Sequence, residues 1–239
     1  MDPHNLQDIL AHLTDHLLSG EGGDKIARMI LFGSHARGTA GPDSDIDILI
    51  ATLNGREVER AILDRAYDFM AARQAPIEIV FSSVHDLYPP QDYFLYNVFR
   101  YGVEVYSMDA EKIKRVMAAD LARLAEEYLE SAREVLERGR LRLAIDAAYN
   151  AAELAAKALI LMKQDDVPGS HGGIVSLFGA LYVKTGEVDA ELGRRLNRAL
   201  HLRNEARYRP GARLTEEDAG EVIRLADALL ALLTPVGKS

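Results

Sequence analysis

The chain has 239 residues, 48% hydrophobic and 27% charged, with a formal net charge of −9, a composition that fits a globular protein of one or two domains. It contains no cysteine, which excludes disulfides, thiol catalysis and cysteine-ligated metals. No apolar run approaches the ~20 residues of a membrane-spanning helix, and the acidic balance argues against broad nonspecific nucleic-acid binding.

The N-terminus, MDPHNLQDILAHL, lacks the basic-then-apolar layout of a secretory signal, so a cytoplasmic location is expected. Asn5 to Leu18 places Leu6, Ile9, Leu10, Leu13, Leu17 and Leu18 at helical spacing. Ile26 to Phe32 reads as a buried strand, and Ser44 to Ala51 as another. Gly55 to Arg73 is helical, Pro76 to Phe81 is a third strand with alternation, Asp92 to Tyr101 a short helix, and Val103 to Tyr106 a short edge strand. Strands interleaved with helices indicate an α/β or α+β domain.

After Met108 the strand signal disappears. Helices are expected over Ala110 to Arg138, Leu141 to Lys163, His171 to Lys184, Asp189 to Tyr208 and Thr215 to Leu233, an antiparallel all-α bundle. Ser170 is a candidate cap for the third, and Thr215-Glu216-Glu217-Asp218 opens the fifth with a capping pattern. The second helix has an alanine-rich face that would let another helix approach closely. That neighbour could lie within the bundle or in a second copy of the chain, which leaves a homodimer open. The expected domains are 1–108 and 109–239. The first carries 8 Lys and Arg against 16 Asp and Glu, the second 20 against 21, so the halves differ in charge as well as in period. Residues 194–213 hold seven arginines and one acid, Glu205; this cluster suits a phosphate-bearing ligand or a solvated face paired with nearby acids.

Residues 31–50, LFGSHARGTAGPDSDIDILI, carry the chemistry. In an extended segment side chains alternate faces, so Asp45 and Asp47 share one side while Ile46, Ile48 and Ile50 take the other. Two neighbouring carboxylates repel unless a cation lies between them. Mg²⁺ suits the place, because it binds through one or two carboxylates plus substrate phosphates. Gly33-Ser34, directly after a strand, lets backbone N–H groups and a hydroxyl reach phosphate oxygens, and Arg37 adds a hydrogen-bonding fork. Glu78, mid-strand between Ile77 and Ile79, is the candidate third carboxylate. His35 is expected to be a bystander.

Gly33-Ser34, Arg37-Gly38 and Ser44-Asp45-Ile46-Asp47 at this spacing resemble the signature of the polymerase-β-like nucleotidyltransferases, in their minimal branch. The resemblance covers about residues 24–106. It implies an α/β (α+β) domain with a small mixed sheet, which transfers a nucleoside monophosphate from an NTP, with ATP expected, to an acceptor hydroxyl. Gly33, Ser34, Arg37 and Ser44 would bind the nucleotide. Asp45, Asp47 and Glu78 would be the catalytic carboxylates and the ligands of Mg²⁺ or Mn²⁺. Glu78 stands where the family more commonly has aspartate.

Residues 110–235 resemble HEPN domains, through AYNAAELAAKALI (148–160), SHGGIVSLF (170–178) and LRNEARY (202–208). Some such bundles are ribonucleases built on an arginine followed after four to six residues by histidine. Here Arg203-Asn204 fits, but the histidine position holds Tyr208, and tyrosine, with an ordinary pKa near ~10, is a poor base at neutral pH. Others are non-nucleolytic partners, and in toxin–antitoxin pairs the enzyme transfers AMP onto a tyrosine of the helical partner. Arg203, Asn204, Arg207 and Tyr208 are therefore the candidate residues of this half. The expected function is a Mg²⁺-dependent nucleotidyltransferase acting on a protein tyrosine, an RNA end or a small molecule. The alternatives are a toxin–antitoxin or sensor module with vestigial catalysis, and a HEPN ribonuclease.

Overall fold

The computed structural model describes residues 3–53, 55–87, 90, 92–165 and 167–233. The chain divides into two compact units, Met1–Ile113 and Lys114–Ser239. In the first, α1 (Pro3–Leu18), β1 (Ile26–Phe32), α2 (Gly33–Ala36), β2 (Ile46–Thr52), α3 (Arg56–Arg73), β3 (Ile77–Ser83), α4 (Tyr93–Tyr101) and β4 (Val103–Ser107) follow one another. The sheet order is β3-β2-β1-β4. β1 runs antiparallel to β2 and β4, whereas β2 and β3 are parallel, because α3 supplies the long crossover that parallel pairing requires. The mixed four-stranded sheet matches the expected fold class, with β4 at an edge.

Both faces of this sheet are covered. Ile46, Ile48 and Ile50 pack with Met29 and Leu31 beneath Leu13 and Leu17 of α1 and Ile62 and Phe69 of α3. Ile30, Leu49 and Ala51 form a second cluster with Leu87, Leu95 and Val98. Each such buried aliphatic side chain contributes about 1.5–3 kcal/mol. α4 turns back into β4 through Gly102, where a Cβ would lie 2.4 Å from the Val98 carbonyl oxygen and 2.6 Å from Ile30 Cγ2; only glycine permits that approach.

The second unit holds most of α5 (Ala110–Glu137), then α6 (Leu141–Leu161), α7 (His171–Phe178), α8 (Ala190–Tyr208) and α9 (Glu216–Leu233). Helix α6 is its axis. Ala144, Ala148, Ala151, Ala152, Ala155, Ala156 and Ala158 are fully buried, in a core shared with Leu196 and Ala199 of α8 and Val222, Leu225 and Leu229 of α9. The alanine-rich face therefore packs inside the unit. The continuous helix expected over His171 to Lys184 instead widens into a π-helical turn, Gly179–Val183. That turn holds Tyr182, whose ring stacks on Phe178 at 5.3 Å and whose hydroxyl donates to the Leu159 carbonyl at 2.6 Å. Thr215 and Asp218 form a reciprocal cap for α9, the Asp218 amide donating to Thr215 Oγ1 at 3.1 Å and the Thr215 amide to Asp218 Oδ2 at 2.8 Å. Arg142 closes the other end of the neighbouring helix, donating to the carbonyls of Glu205, Ala206, Arg209 and Pro210 at 3.3, 2.6, 2.9 and 2.8 Å.

Candidate active site

The site in the first unit forms where β1 ends and β2 begins. Gly33 has φ +68, and a Cβ there would fall 1.8 Å from Asp47 Oδ2. The missing side chain is thus the space that the Asp47 carboxylate occupies. The chain then makes a single helical turn, α2, where the sequence alone reads as a loop. Asp47 pairs with Phe32 across the antiparallel ladder and with Glu78 across the parallel one, so all three share one sheet face. Asp45 lies two residues earlier, just outside β2 and exposed, as Glu78 is; Asp47 is half-buried. Among the described residues, none donates a hydrogen bond or an ion pair to these three carboxylates.

Ser34 is half-buried in α2, and its carbonyl accepts from the Thr39 amide at 3.0 Å. Arg37, exposed, ends the turn. Ser44 Oγ accepts from the Gly41 amide at 2.9 Å, and His35 Nε2 lies 3.3 Å from the Ser44 carbonyl oxygen. Ser44 therefore ties its own loop, and His35 braces the same loop from α2. Among the described residues no three His, Asp or Glu side chains converge closely enough to cage a metal by themselves. The donor set on offer is a carboxylate pair with a neighbour, which fits an ion that takes its remaining ligands from phosphate and water.

In the second unit Arg203 is only 5% exposed. Its Nε lies 3.4 Å from Asp146 Oδ1, and Arg207 Nη1 reaches the same oxygen at 3.7 Å. Asn204 Oδ1 accepts from Arg203 Nη1 at 3.2 Å, and the guanidinium lies 5.6 Å from the Tyr208 ring centroid. The four candidate residues are thus neighbours, with Tyr208 67% exposed. The arginine cluster around them is largely paired with acids: Arg194 and Arg198 with Glu191 at 2.7 and 2.6 Å, and Arg209 with Glu205 at 3.2 Å.

Sequence reading missed Asp146 and Glu153. With Tyr149 and Lys157 they occupy positions 146, 149, 153 and 157 of α6, one helical stripe of polar groups among alanines. The Glu153 carboxylate pairs with His171 Nδ1 and, at 3.0 Å, with Lys157 Nζ. Burial works to raise the Glu153 carboxyl, but the bonds from His171 and Lys157 outweigh it and hold it below the ordinary carboxylate range. Burial and the adjacent Glu153 push the Tyr149 hydroxyl up. The Tyr149 ring meets His171 edge-on at 5.7 Å.

The profile of the nucleotidyltransferase domain matches residues 18–94, and that of the HEPN domain residues 118–235. The chain is a nucleotidyltransferase–HEPN protein. It is 35% identical over 107 residues to "Putative toxin MJ0605" of Methanocaldococcus jannaschii, covering 45% of this chain and 78% of that protein. It is 33% identical over 108 residues to a UPF0332 protein of Thermotoga maritima, covering 45% and 81%. Among solved structures, spectinomycin adenyltransferase AAD(9) from Enterococcus faecialis, with ATP and spectinomycin, aligns over 92% of this chain and 98% of that one. Its identity is 13% and its TM-score 0.34, a superposition too loose to argue from. No helix among the described residues is long and apolar enough to cross a membrane.

Proposed function

We propose that the first unit transfers AMP from ATP to an acceptor hydroxyl in a Mg²⁺-dependent reaction. The observation that carries this reading is the Asp47 carboxylate laid against Gly33 with Glu78 beside it, unpaired by any cation among the described residues. Carboxylates arranged so are electrostatically costly until an outside cation joins them. Asp45 and Asp47 would hold Mg²⁺ or Mn²⁺, which supplies charge neutralisation at the triphosphate. The Gly33 backbone, the Ser34 hydroxyl and the Arg37 guanidinium bind phosphate oxygens, and Ser44 keeps the loop shaped for them. Glu78 takes the acceptor proton or completes the metal's ligands. The acceptor oxygen bonds to the α-phosphorus as its bond to the bridging oxygen breaks, and pyrophosphate leaves.

The acceptor is a protein tyrosine, an RNA end or a small molecule. Tyr208 is the first to examine, because its ring is exposed and lies beside a guanidinium. A toxin–antitoxin role for the whole protein is the second reading, favoured by the printed name of one relative. The ribonuclease reading is the weakest, since Arg203 is buried against Asp146 and Tyr208 stands where a histidine is needed. Incubation with each NTP and Mg²⁺, followed by mass spectrometry of the protein and of added acceptors, tests the proposal. A gain of one nucleoside monophosphate, lost in Asp47→Asn, is expected. Products that persist in Asp47→Asn would remove the metal-site assignment.

A further inference from the structure

Beside the phosphate loop, and within the same unit, lies an open cleft of about 430 Å³ walled by Phe32, Gly33, Arg37, Phe94, Asn97 and Tyr101. Its volume is in the range of small-ligand sites. It is continuous with the candidate nucleotide site, because Gly33 and Arg37 belong to both. Its walls are largely aromatic. Phe94 is 41% and Tyr101 56% exposed, while Leu95 and Val98 of the same helix are buried in the core beneath. Phe94 is braced by Phe32, edge to face at 5.4 Å, so its ring is held rather than free to collapse.

We infer that this cleft receives the nucleoside part of the NTP, with the base stacked on the Phe94 and Tyr101 rings, an inference that rests on the nucleotidyltransferase reading above. The chemistry is matched at both ends. Every nucleobase has a π-face, and aromatic platforms of this kind bind bases largely without regard to sequence. Arg37 and the Gly33 backbone sit at the end where the phosphates must leave the cleft for the carboxylates. Asn97 adds a polar edge. Its Nδ2 donates one hydrogen to the Tyr93 carbonyl at 2.8 Å, which anchors an amide that still carries a second N–H and an acceptor oxygen for the edge of a base.

Calorimetric titrations of the full chain with ATP and with inorganic tripolyphosphate, both with Mg²⁺, separate the two levels of the reading. Wild type binds ATP and tripolyphosphate. Phe94→Ala and Tyr101→Ala weaken ATP by about tenfold, the usual scale for one lost stacking contact, and leave tripolyphosphate unchanged. Phe94→Leu and Tyr101→Leu keep apolar bulk and lose the π-face, so they weaken ATP to a smaller extent and cover the case of an unstable alanine variant. Asn97→Ala weakens ATP and leaves tripolyphosphate unchanged. Variants that bind ATP as wild type does overturn the cleft assignment while leaving the nucleotidyltransferase reading in place. So does an equal loss of ATP and tripolyphosphate, which would mean the rings only shape the loop. Wild type that binds neither probe overturns both.

Discussion

The candidate sites of the two units differ in how their carboxylates are partnered. In the helical unit Asp146 has Arg203 and Arg207 and Glu153 has Lys157 and His171, and elsewhere in both units acids find cations too, as Asp227 does with Arg133 at 2.6 Å and Asp24 with Lys25 at 2.9 Å. In the sheet unit Asp47 and Glu78 lie opposite one another on β2 and β3, Asp45 stands just before β2, and none of the three has a protein cation among the described residues. Paired acids are explained by the fold itself. Unpaired ones set side by side by strand register are not, and that difference is what the substitutions below test.

The comparison predicts opposite phenotypes for acid and partner substitutions. Asp47→Asn should lower product formation on the order of a thousandfold, since metal-held charge is worth several kcal/mol in the transition state. The same variant should melt at or above the wild-type temperature, because no ion pair is lost; a clearly lower melting temperature would place Asp47 with the structural acids. Arg203→Ala should do the reverse, costing about 3 kcal/mol in chemical denaturation by leaving Asp146 partly buried without its nearest cation. Gly33→Ala joins the two effects. Its φ of +68 and the 1.8 Å approach to Asp47 Oδ2 should cost roughly 1–3 kcal/mol and displace the carboxylate, so activity and stability fall together.

The smaller tests use pH. Glu153 is held below its ordinary range in the folded protein, so its contribution is full above the unfolded value of ~4.3 and is lost as pH falls through the lower folded value. Denaturation midpoints followed from pH 6 to pH 3 should drop more steeply in wild type than in Glu153→Gln. Tyr182 behaves oppositely. Burial, followed by the charge of Glu187, pushes its hydroxyl up to about 12, so its contribution is complete below ~10 and disappears as pH rises through 12. Tyr182→Phe should flatten that alkaline limb and, at neutral pH, cost about 1 kcal/mol for the lost bond to Leu159.

Much of the fold was legible because its signals are local. β1 begins and ends where the apolar run does, and α9 begins at its capping box. What was illegible depends on pairing or on a small change of period. α2 is a single turn, too short for any hydrophobic period to register. The π turn at Gly179–Val183 changes the repeat over only five residues. Glu78 is a candidate beside Asp45 and Asp47 from its place in a strand and from the family resemblance, but the parallel register that sets it opposite Asp47 is created by a crossover helix, and no spacing along the chain encodes it. Asp146 and Glu153 were overlooked because a polar residue in an alanine-rich helix looks solvent-facing until its partners arrive from α7 and α8. The rings of α4 were equally ambiguous, since an aromatic side chain can serve a core or line a cleft.

The clamp of Arg142 on the last turn of α8 also has an electrostatic meaning. A helix ends in bare carbonyls that carry roughly half a negative charge, and Tyr208 is the final residue of that helix. Left alone, this end would repel any polyanion brought towards the tyrosine. One guanidinium instead spreads across the carbonyls of Glu205 and Ala206 in its last turn and of Arg209 and Pro210 just beyond it, which offsets that negative end. The end of α8 that bears Tyr208 thus presents a guanidinium where bare carbonyls would otherwise stand.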